Sequence, residues 1–390
     1  INKINLILKE IDNIASRKLY DFIDADVEEK IVGSNKIDFN FKIKDSQKFY
    51  VERVNIFGNF NTLEEVIRNK LIVDEGDPLN ELLYNKSIDR IRSTGFFKKV
   101  NAEIVDGSSP NNKIINVKVE EQATGEISMG AGYGTSGSMI GGGVTEKNFL
   151  GKGINLDSSI EISEESLKGK FIYSKPNFNY SDNTLFTSVR ATTTDNLTDF
   201  GYKTSDTGFS IATRFEQYEN LYFRPELDFS LEEIETNSSA TTTLKKQEGT
   251  YSDFYFNYGL DYDLRNSRFN PSSGYKTSFY QTLPLISENN EINNTFITTH
   301  YKTLNENSGM IGKASLYLKA VHSLSDDDVR ISKRASLPYQ RLRGFKKGAI
   351  GPIDDDDFVG GNYATSVNIS TTLPGLFRTV ENVDMSYFID

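Results

Sequence analysis

Two hydrophobic rhythms divide the chain. Between residues 49 and 121, apolar positions recur at strand and helix spacing in turn. From Glu126 onward they alternate one for one with polar positions. In residues 221–231, Leu221, Phe223, Pro225, Leu227, Phe229 and Leu231 interleave with Tyr222, Arg224, Glu226, Asp228 and Ser230. Residues 254–263 set Phe254, Phe256, Tyr258, Leu260 and Tyr262 against Asn257, Gly259, Asp261 and Asp263. Ile154, Leu156, Ile160 and Ile162 likewise oppose Asn155, Asp157, Ser159 and Glu161. A period of two marks a strand with two unlike faces. Thirteen such strands are predicted: 126–135, 138–149, 153–163, 167–176, 184–194, 206–217, 219–234, 251–264, 273–284, 293–304, 309–322, 359–373 and 380–390. Most run to roughly 10–14 residues, beyond the 5–6 usual in globular sheets and enough to cross a bilayer when tilted.

Alternation alone fits two architectures. In a sandwich the apolar faces meet in a core; in a membrane barrel they meet lipid, and the polar faces line water. Strand length favours the barrel, and so does the abundance of Phe and Tyr, since barrels carry aromatic girdles. The connections favour it too: those after even-numbered strands are short, and those after odd-numbered strands include 195–205, 235–250 and 323–358. A sheet in hydrocarbon must close, and bacterial single-chain barrels use even strand numbers. The expectation is therefore an all-β antiparallel transmembrane barrel over 123–390, truncated at its C-terminal end, since an even total exceeds 13.

The first third reads differently. Ile37, Phe39, Phe41 and Ile43 share one face of a strand, Tyr20–Val32 reads as another, and the opening segment reads as a helix. Residues 1–48 thus look like the C-terminal part of a small α/β module. A complete module is predicted over 49–122, in the order β-α-α-β-β. Phe49–Phe57 is a strand; Thr62 and Glu65 form a capping box for a helix bearing Leu63, Val66, Ile67 and Leu71. Asn80 caps a second helix bearing Leu83, Tyr84, Ile88 and Ile91, which Gly95 stops; Lys99–Val105 and Ile114–Val119 are strands.

Composition narrows the function classes. Lys and Arg total 44 against 55 Asp and Glu, a net charge of −11, which excludes a uniformly basic nucleic-acid binder. With no Cys and 2 His, thiolate chemistry is absent and a His-rich metal site or catalytic triad has no material. His300 and His322 stand on separate predicted strands without a partner motif. The glycine-rich run 130–143 lacks the Gly-Lys-Ser/Thr and the helix of a phosphate cradle. Asp354–Asp357 reads as a solvated acidic loop that would at most attract a cation. No enzyme activity, cofactor or metal is expected.

Several motifs carry a family resemblance. VERVNIFGNFNT (51–62), EGDP (75–78) and STGFFKKV (93–100) resemble a POTRA module. GYGT (132–135), NFLGKG (148–153), DLRNSRFNPSSG (263–274), LRGF then IGP within 342–352, and VGGN (359–362) follow in the order found in the BamA-like family of outer-membrane β-barrel assembly factors. The resemblance implies that the chain holds about 13 of an expected 16 strands. It implies assembly and insertion of barrel proteins into the bacterial outer membrane, with the POTRA modules in the periplasm. Implied partners are unfolded barrel substrates, assembly lipoproteins, outer-membrane lipid and periplasmic chaperones, with no nucleic acid.

The resemblance also implies site residues. Leu342, Arg343, Gly344 and Phe345 form the motif of an inward-folded loop: Gly344 makes a sharp turn, Phe345 packs as a wedge, and Arg343 ion-pairs with acids on the following strands. The matching positions are Asp390 and Ser370, and Ser370 departs from the usual acid. The alternative is a basic surface loop made by Arg341, Arg343, Lys346 and Lys347. The first barrel strand would be a lateral gate, its pairing weakened by Gly130, Gly132 and Gly134 around Tyr133; the alternative is that these glycines ease curvature. Glu75 matches an acidic position that meets a lipoprotein, or is simply a solvated turn acid. Rival functions are a sister-family translocation pore for two-partner secretion or autotransporter assembly, a passive porin-like channel, and a soluble sandwich adhesin. The chain is expected to be a fragment lacking both ends.

Overall fold

In the computed structural model the described residues are 7, 11, 14, 23–32, 37–45, 49–134, 137–198, 200–268, 270–306, 309–338, 340–345, 350–354, 357–373 and 385–390. They divide into two compact units: residues 1–125 with 146–154, and residues 126–145 with 155–390.

The first unit begins with a two-stranded antiparallel ladder of β1 (Ile23–Ile31) and β2 (Ile37–Asp45), in register from Ile23–Asp45 to Ile31–Ile37. Ile7, Ile11 and Ile14 are helical; the rest of the predicted opening helix lies outside the described residues. The complete module follows as β3 (Tyr50–Phe57), α1 (Glu64–Arg68), α2 (Glu81–Ser93), β4 (Phe97–Asp106) and β5 (Asn112–Glu121). Its sheet has the order β3-β5-β4, with β5 parallel to β3 and antiparallel to β4. Val51, Val54, Val117 and Val119 of the sheet pack with Ile67, Ile88 and Ile91 of the helices in one apolar core.

Capping departs from expectation at one helix and follows it at the other. Asn80 accepts hydrogen bonds from the Leu82 and Leu83 amides, and Gly95, at φ +71°, follows the end of α2. The Thr62–Glu65 capping box does not form. Leu63 is the N-cap of α1, a single turn that ends before Leu71. Thr62 is buried instead, its amide donating to Glu121 at 2.6 Å. The turn 148–153 belongs to this same unit. The Leu63 amide donates to the Gly151 carbonyl, and the Asn148 side chain to the Thr62 hydroxyl at 2.9 Å. A Cβ on Gly151 would fall 1.8 Å from the Asn61 carbonyl oxygen, so the NFLGKG motif needs its glycine for close approach.

The second unit holds most of one antiparallel sheet, of thirteen strands among the described residues. They are β6 (Gly125–Gly134), β7 (Gly137–Phe149), β8 (Ile154–Ser163), β9 (Ser166–Lys175), β10 (Thr184–Asn196), β11 (Tyr202–Tyr218), β12 (Leu221–Thr236), β13 (Gly249–Asp263), β14 (Gly274–Ile286), β15 (Glu291–Asn305) and β16 (Met310–Ser323). A long loop then carries the small hairpin β17 (Ile353–Asp354) and β18 (Asp357–Phe358), before β19 (Tyr363–Leu373) and β20 (Met385–Ile389). The order runs β6 to β16, then β19 and β20, every neighbour being next in sequence apart from the hairpin. A short helix, α3 (Thr242–Lys245), sits in the β12–β13 connection. Two details correct the prediction. Of the acidic run, Asp354 and Asp357 pair in a hairpin, residues 355 and 356 lying outside the described residues, and the strand predicted from 359 begins at Tyr363, because Gly361 bridges to Ala335 of the loop.

The faces of this sheet are inverted relative to a soluble protein. On β12, Phe229 is 47% exposed and Leu227 and Leu231 are similarly open, while Asp228 is 4% exposed and Ser230 and Glu232 are buried. Val189, Phe209, Leu318 and Val367 repeat the open apolar face on other strands. No second sheet covers it among the described residues. A sandwich hides such side chains between layers; a membrane barrel presents them to lipid. The two unlike faces read from the alternation are therefore present, and a register slip of one residue would have reversed them.

Candidate functional site

The polar face is concave, because a single side chain reaches strands that a flat sheet keeps apart. Neighbouring strands stand about 4.8 Å apart, which would leave β12 and β15, three strands away, about 14 Å apart if flat. Arg330, in the β16–β19 loop, nevertheless contacts both. Its guanidinium lies 3.2 Å from Glu232 (β12), 2.7 Å from Asp253 (β13) and 3.3 Å from Glu291 (β15), and donates to the Tyr255 hydroxyl at 2.9 Å. The Tyr251 ring faces it at 4.7 Å. The Arg330 backbone amide donates to Glu291 at 2.7 Å, and Lys333 adds a contact to Glu232 at 3.5 Å. Arg330 is 0% exposed. Further round the wall, Arg190 of β10 bridges Asp206 of β11 and Asp228 of β12.

The expected loop motif lies on the same face. The Arg343 side chain makes a two-pronged ion pair with Asp390, at 2.6 and 2.5 Å, and its amide donates to the same carboxylate at 3.1 Å. Its guanidinium also covers the Phe388 ring at 3.4 Å. Ser370, where an acid was expected, offers Arg343 no contact; Asn368, one pleat away on β19, does the bracing. Its amide donates to Asp390 at 2.9 Å and to the Arg341 carbonyl at 2.7 Å. Arg341 donates to Ser315 at 2.7 Å and faces the Tyr317 ring, so it is not part of a basic surface. Gly344 turns at φ +90°, a conformation costly for other residues. Phe345 is 51% exposed, and the aromatic ring packed on the Arg343 guanidinium is Phe388. Lys346 and Lys347 lie outside the described residues.

The expected gate strand, β6, ends the sheet, and β7 is its one strand partner among the described residues. Tyr133, Ile127 and Met129 on it are highly exposed; Gly130 and Gly132 have no crowding that a glycine is needed to relieve. Glu75 braces its own module. It accepts from the Val54 amide at 3.0 Å, beside Arg68, which donates to the Val54 carbonyl. With the Val51–Asp77 and Gly76–Val51 backbone bonds, the 74–79 turn covers the outer edge of β3. His300 stacks on Tyr275 and His322 abuts Tyr363, both as ring contacts.

Sequence reasoning missed Arg330, Asn368 and Phe388. A signal for the first existed: a lone Arg between apolar Val329 and Ile331, facing a polar row that holds Glu232, Asp253 and Glu291.

An α/β module followed by an inside-out sheet that holds its own loop by buried ion pairs defines a class: β-barrel proteins of the outer membrane that carry POTRA modules on the periplasmic side. Residues 148–390 match the Omp85 superfamily domain, and residues 49–122 match POTRA, the surface antigen variable number repeat. The chain belongs to the Omp85 superfamily. It is similar to the outer membrane protein assembly factor BamA of Nitratidesulfovibrio vulgaris, at 25% identity over 349 residues, 87% of this chain and 44% of that protein. For BamA of Neorickettsia risticii the values are 24% over 341 residues, 85% and 45%. The chain thus spans a little under half the length of these relatives. Among solved structures, BamA from Haemophilus ducreyi lacking POTRA domains 1–3 superposes with a TM-score of 0.76 at 22% identity, covering 100% of this chain and 80% of that one. CdiB from Escherichia coli gives 0.60 at 12% identity, covering 100% and 72%. At these identities the structural likeness speaks for the fold alone.

Proposed function

We propose that this protein assembles and inserts β-barrel proteins into the outer membrane. The observation that carries the reading is the β16–β19 loop, folded onto the concave polar face and held there by Arg343 on Asp390. A passive channel leaves the POTRA module unexplained. In this reading Leu342, Arg343, Gly344 and Phe345 shape the loop that stiffens the wall, and Asp390 receives it. β6 acts as the lateral gate. Its Gly130, Gly132 and Gly134 weaken side-chain packing around Tyr133, and its outer edge offers N–H and C=O groups to an incoming strand. Unfolded barrel proteins are the substrates. Assembly lipoproteins and periplasmic chaperones are partners on the POTRA side, the former meeting the turn that holds Glu75.

No covalent step is involved. The work is lowering the barrier to strand pairing in a locally disturbed bilayer. The full-length protein, reconstituted in liposomes, is expected to speed the folding of an added unfolded barrel protein over empty liposomes. Steady ion conduction with no acceleration would instead favour a channel or translocation pore. A disulfide locking β6 to the strand that closes the barrel is expected to abolish the acceleration reversibly; unchanged acceleration in the locked protein would remove the gate from the mechanism.

A further inference from the structure

The loop has two anchors of unequal character. Arg343 is 35% exposed on its side chain and has one carboxylate partner. Arg330 is dry, and so are the three carboxylates around it: Glu232, Asp253 and Glu291 are each at most 3% exposed. The two grips are also far apart along the wall. Glu291 is level with Ser323 of β16, whereas Asn368, which braces Asp390, is level with Ser315. Eight residues of extended strand separate them, on the order of 27 Å.

The wall is built to receive a cation. With the loop absent, three buried carboxylates would face one another across β12, β13 and β15. Two of the loop's cations, Arg330 and Lys333, offset two of those three charges. The Ile331 amide donates to Gln247, and Ile331 and Val359 join a small apolar core with Ile234, Ala240 and Leu244. Val329 and Ala335 pack on Val321. Among the described residues, no comparable cluster of buried carboxylates surrounds Arg343.

We propose that Arg330 is the principal anchor of the loop, and a positioning residue for the barrel-assembly activity on whose assignment this inference rests. Glu232, Asp253 and Glu291 are its receptor, and the Arg343–Asp390 pair is a secondary latch that sets the loop tip once Arg330 is seated. A guanidinium suits the place because its planar fork reaches several acceptors at once, which a lysine ammonium does with poorer geometry. The loop's position and the curvature of β12–β15 are thereby coupled. Withdrawing Arg330 unburies the loop and sets the three carboxylates against each other.

The test uses the full-length protein in liposomes with Ala335→Cys as a reporter; this chain contains no cysteine, and Ala335 is buried. Maleimide labelling of that thiol reads loop release directly, whatever the protein's activity. Arg330→Met is expected to raise the labelling rate roughly tenfold or more, because an unpaired buried charge cluster is strongly destabilising. Arg330→Lys, the variant that keeps the charge if Arg330→Met fails to fold, is expected to fall between parent and Met. Arg343→Ala is expected to change labelling at residue 335 by less than about threefold, its pair being partly solvated. Adding Asp253→Asn and Glu291→Gln to Arg330→Met is expected to slow labelling again, a rescue that lost packing alone would not give. Acceleration of substrate folding should fall in step with labelling across the series.

Labelling unchanged in Arg330→Met and Arg330→Lys, or raised only in Arg343→Ala, would overturn the anchor. Loop release without loss of acceleration would overturn the positioning role. A parent protein that protects residue 335 but accelerates nothing would instead count against the assembly reading, leaving the anchor standing.

Discussion

The α/β unit and the thirteen-stranded sheet solve opposite problems with the same residue types. In the first, Val51, Ile67, Ile91 and Val117 meet in a dry core while charges such as Arg92 and Asp89 sit outside. In the second, Leu227, Phe229 and Leu231 stand open on the surface while Asp228, Glu232, Asp253 and Arg330 are buried. In water the hydrophobic effect drives apolar groups inward. In a bilayer the surroundings are themselves apolar, so the inside is free to be polar provided every buried charge is paired. Ion pairs thus have different effects in the two regions. In the α/β unit the Arg92–Asp89 pair is solvated; in the sheet the pairs of Arg330 are buried between loop and wall.

The sharpest way to break this contrast is to remove one ion pair from each region. Arg330→Met is expected to cost about 3–5 kcal/mol, because Glu232, Asp253 and Glu291 stay buried without their partner. Asp89→Ala, at an exposed pair with Arg92, is expected to cost no more than about 1 kcal/mol. Urea unfolding of the protein in bilayers compares them, and equal costs would erase the distinction.

Apolar truncations should show the opposite ranking. Ile91→Ala opens a cavity in the α/β core and is expected to cost about 2–5 kcal/mol. Leu227→Ala removes a side chain whose neighbour is lipid, and about 1 kcal/mol or less is expected. Leu227→Arg at the same place is expected to cost about 2–4 kcal/mol if it lies near the bilayer midplane, which membrane-insertion yield will show.

Local capping gives a smaller effect. Asn80→Ala removes the acceptor for the Leu82 and Leu83 amides, and about 1 kcal/mol is expected in the melting of the α/β unit alone. Smaller still is a pH effect at Glu121. Burial pushes its carboxyl up, but hydrogen bonds from Thr62 and Asn61 outweigh this and hold it below its ordinary value of 4.5. A depressed folded-state value means the carboxylate's contribution is complete above that ordinary value and is lost as pH falls through the folded one. Glu121→Gln is expected to flatten the acid limb of the α/β unit's stability profile while leaving the sheet's profile unchanged.

Much of this architecture was legible because strand alternation is a strictly local signal. Leu227, Asp228, Phe229 and Ser230 must alternate between opposite faces whatever lies around them, so the strands and the residues sharing each face could be read without a partner. The direction of the faces was not in the alternation, since a sandwich and a barrel share it; strand length and loop alternation broke the tie. At the site, Arg343 and Asp390 were reached through a motif. Arg330 was not, because its three acids lie 98, 77 and 39 residues away, and only sheet curvature brings them together. Thr62 misled for a related reason. A local capping box was outcompeted by Glu121, which the parallel pairing of β3 and β5 places beside it. The ring that packs on Arg343 was not legible either, because it comes from β20, 45 residues further along the chain.

The claim on which the rest depends is that the sheet's apolar face meets lipid and its polar face holds the loop. Single cysteines at Phe229 and Ser230, adjacent and on opposite faces, test it in the full-length protein carrying an environment-sensitive fluorophore. Bilayers containing nitroxide-labelled acyl chains should quench the probe at residue 229 strongly and that at residue 230 weakly. Equal quenching, or the reverse order, would contradict the account.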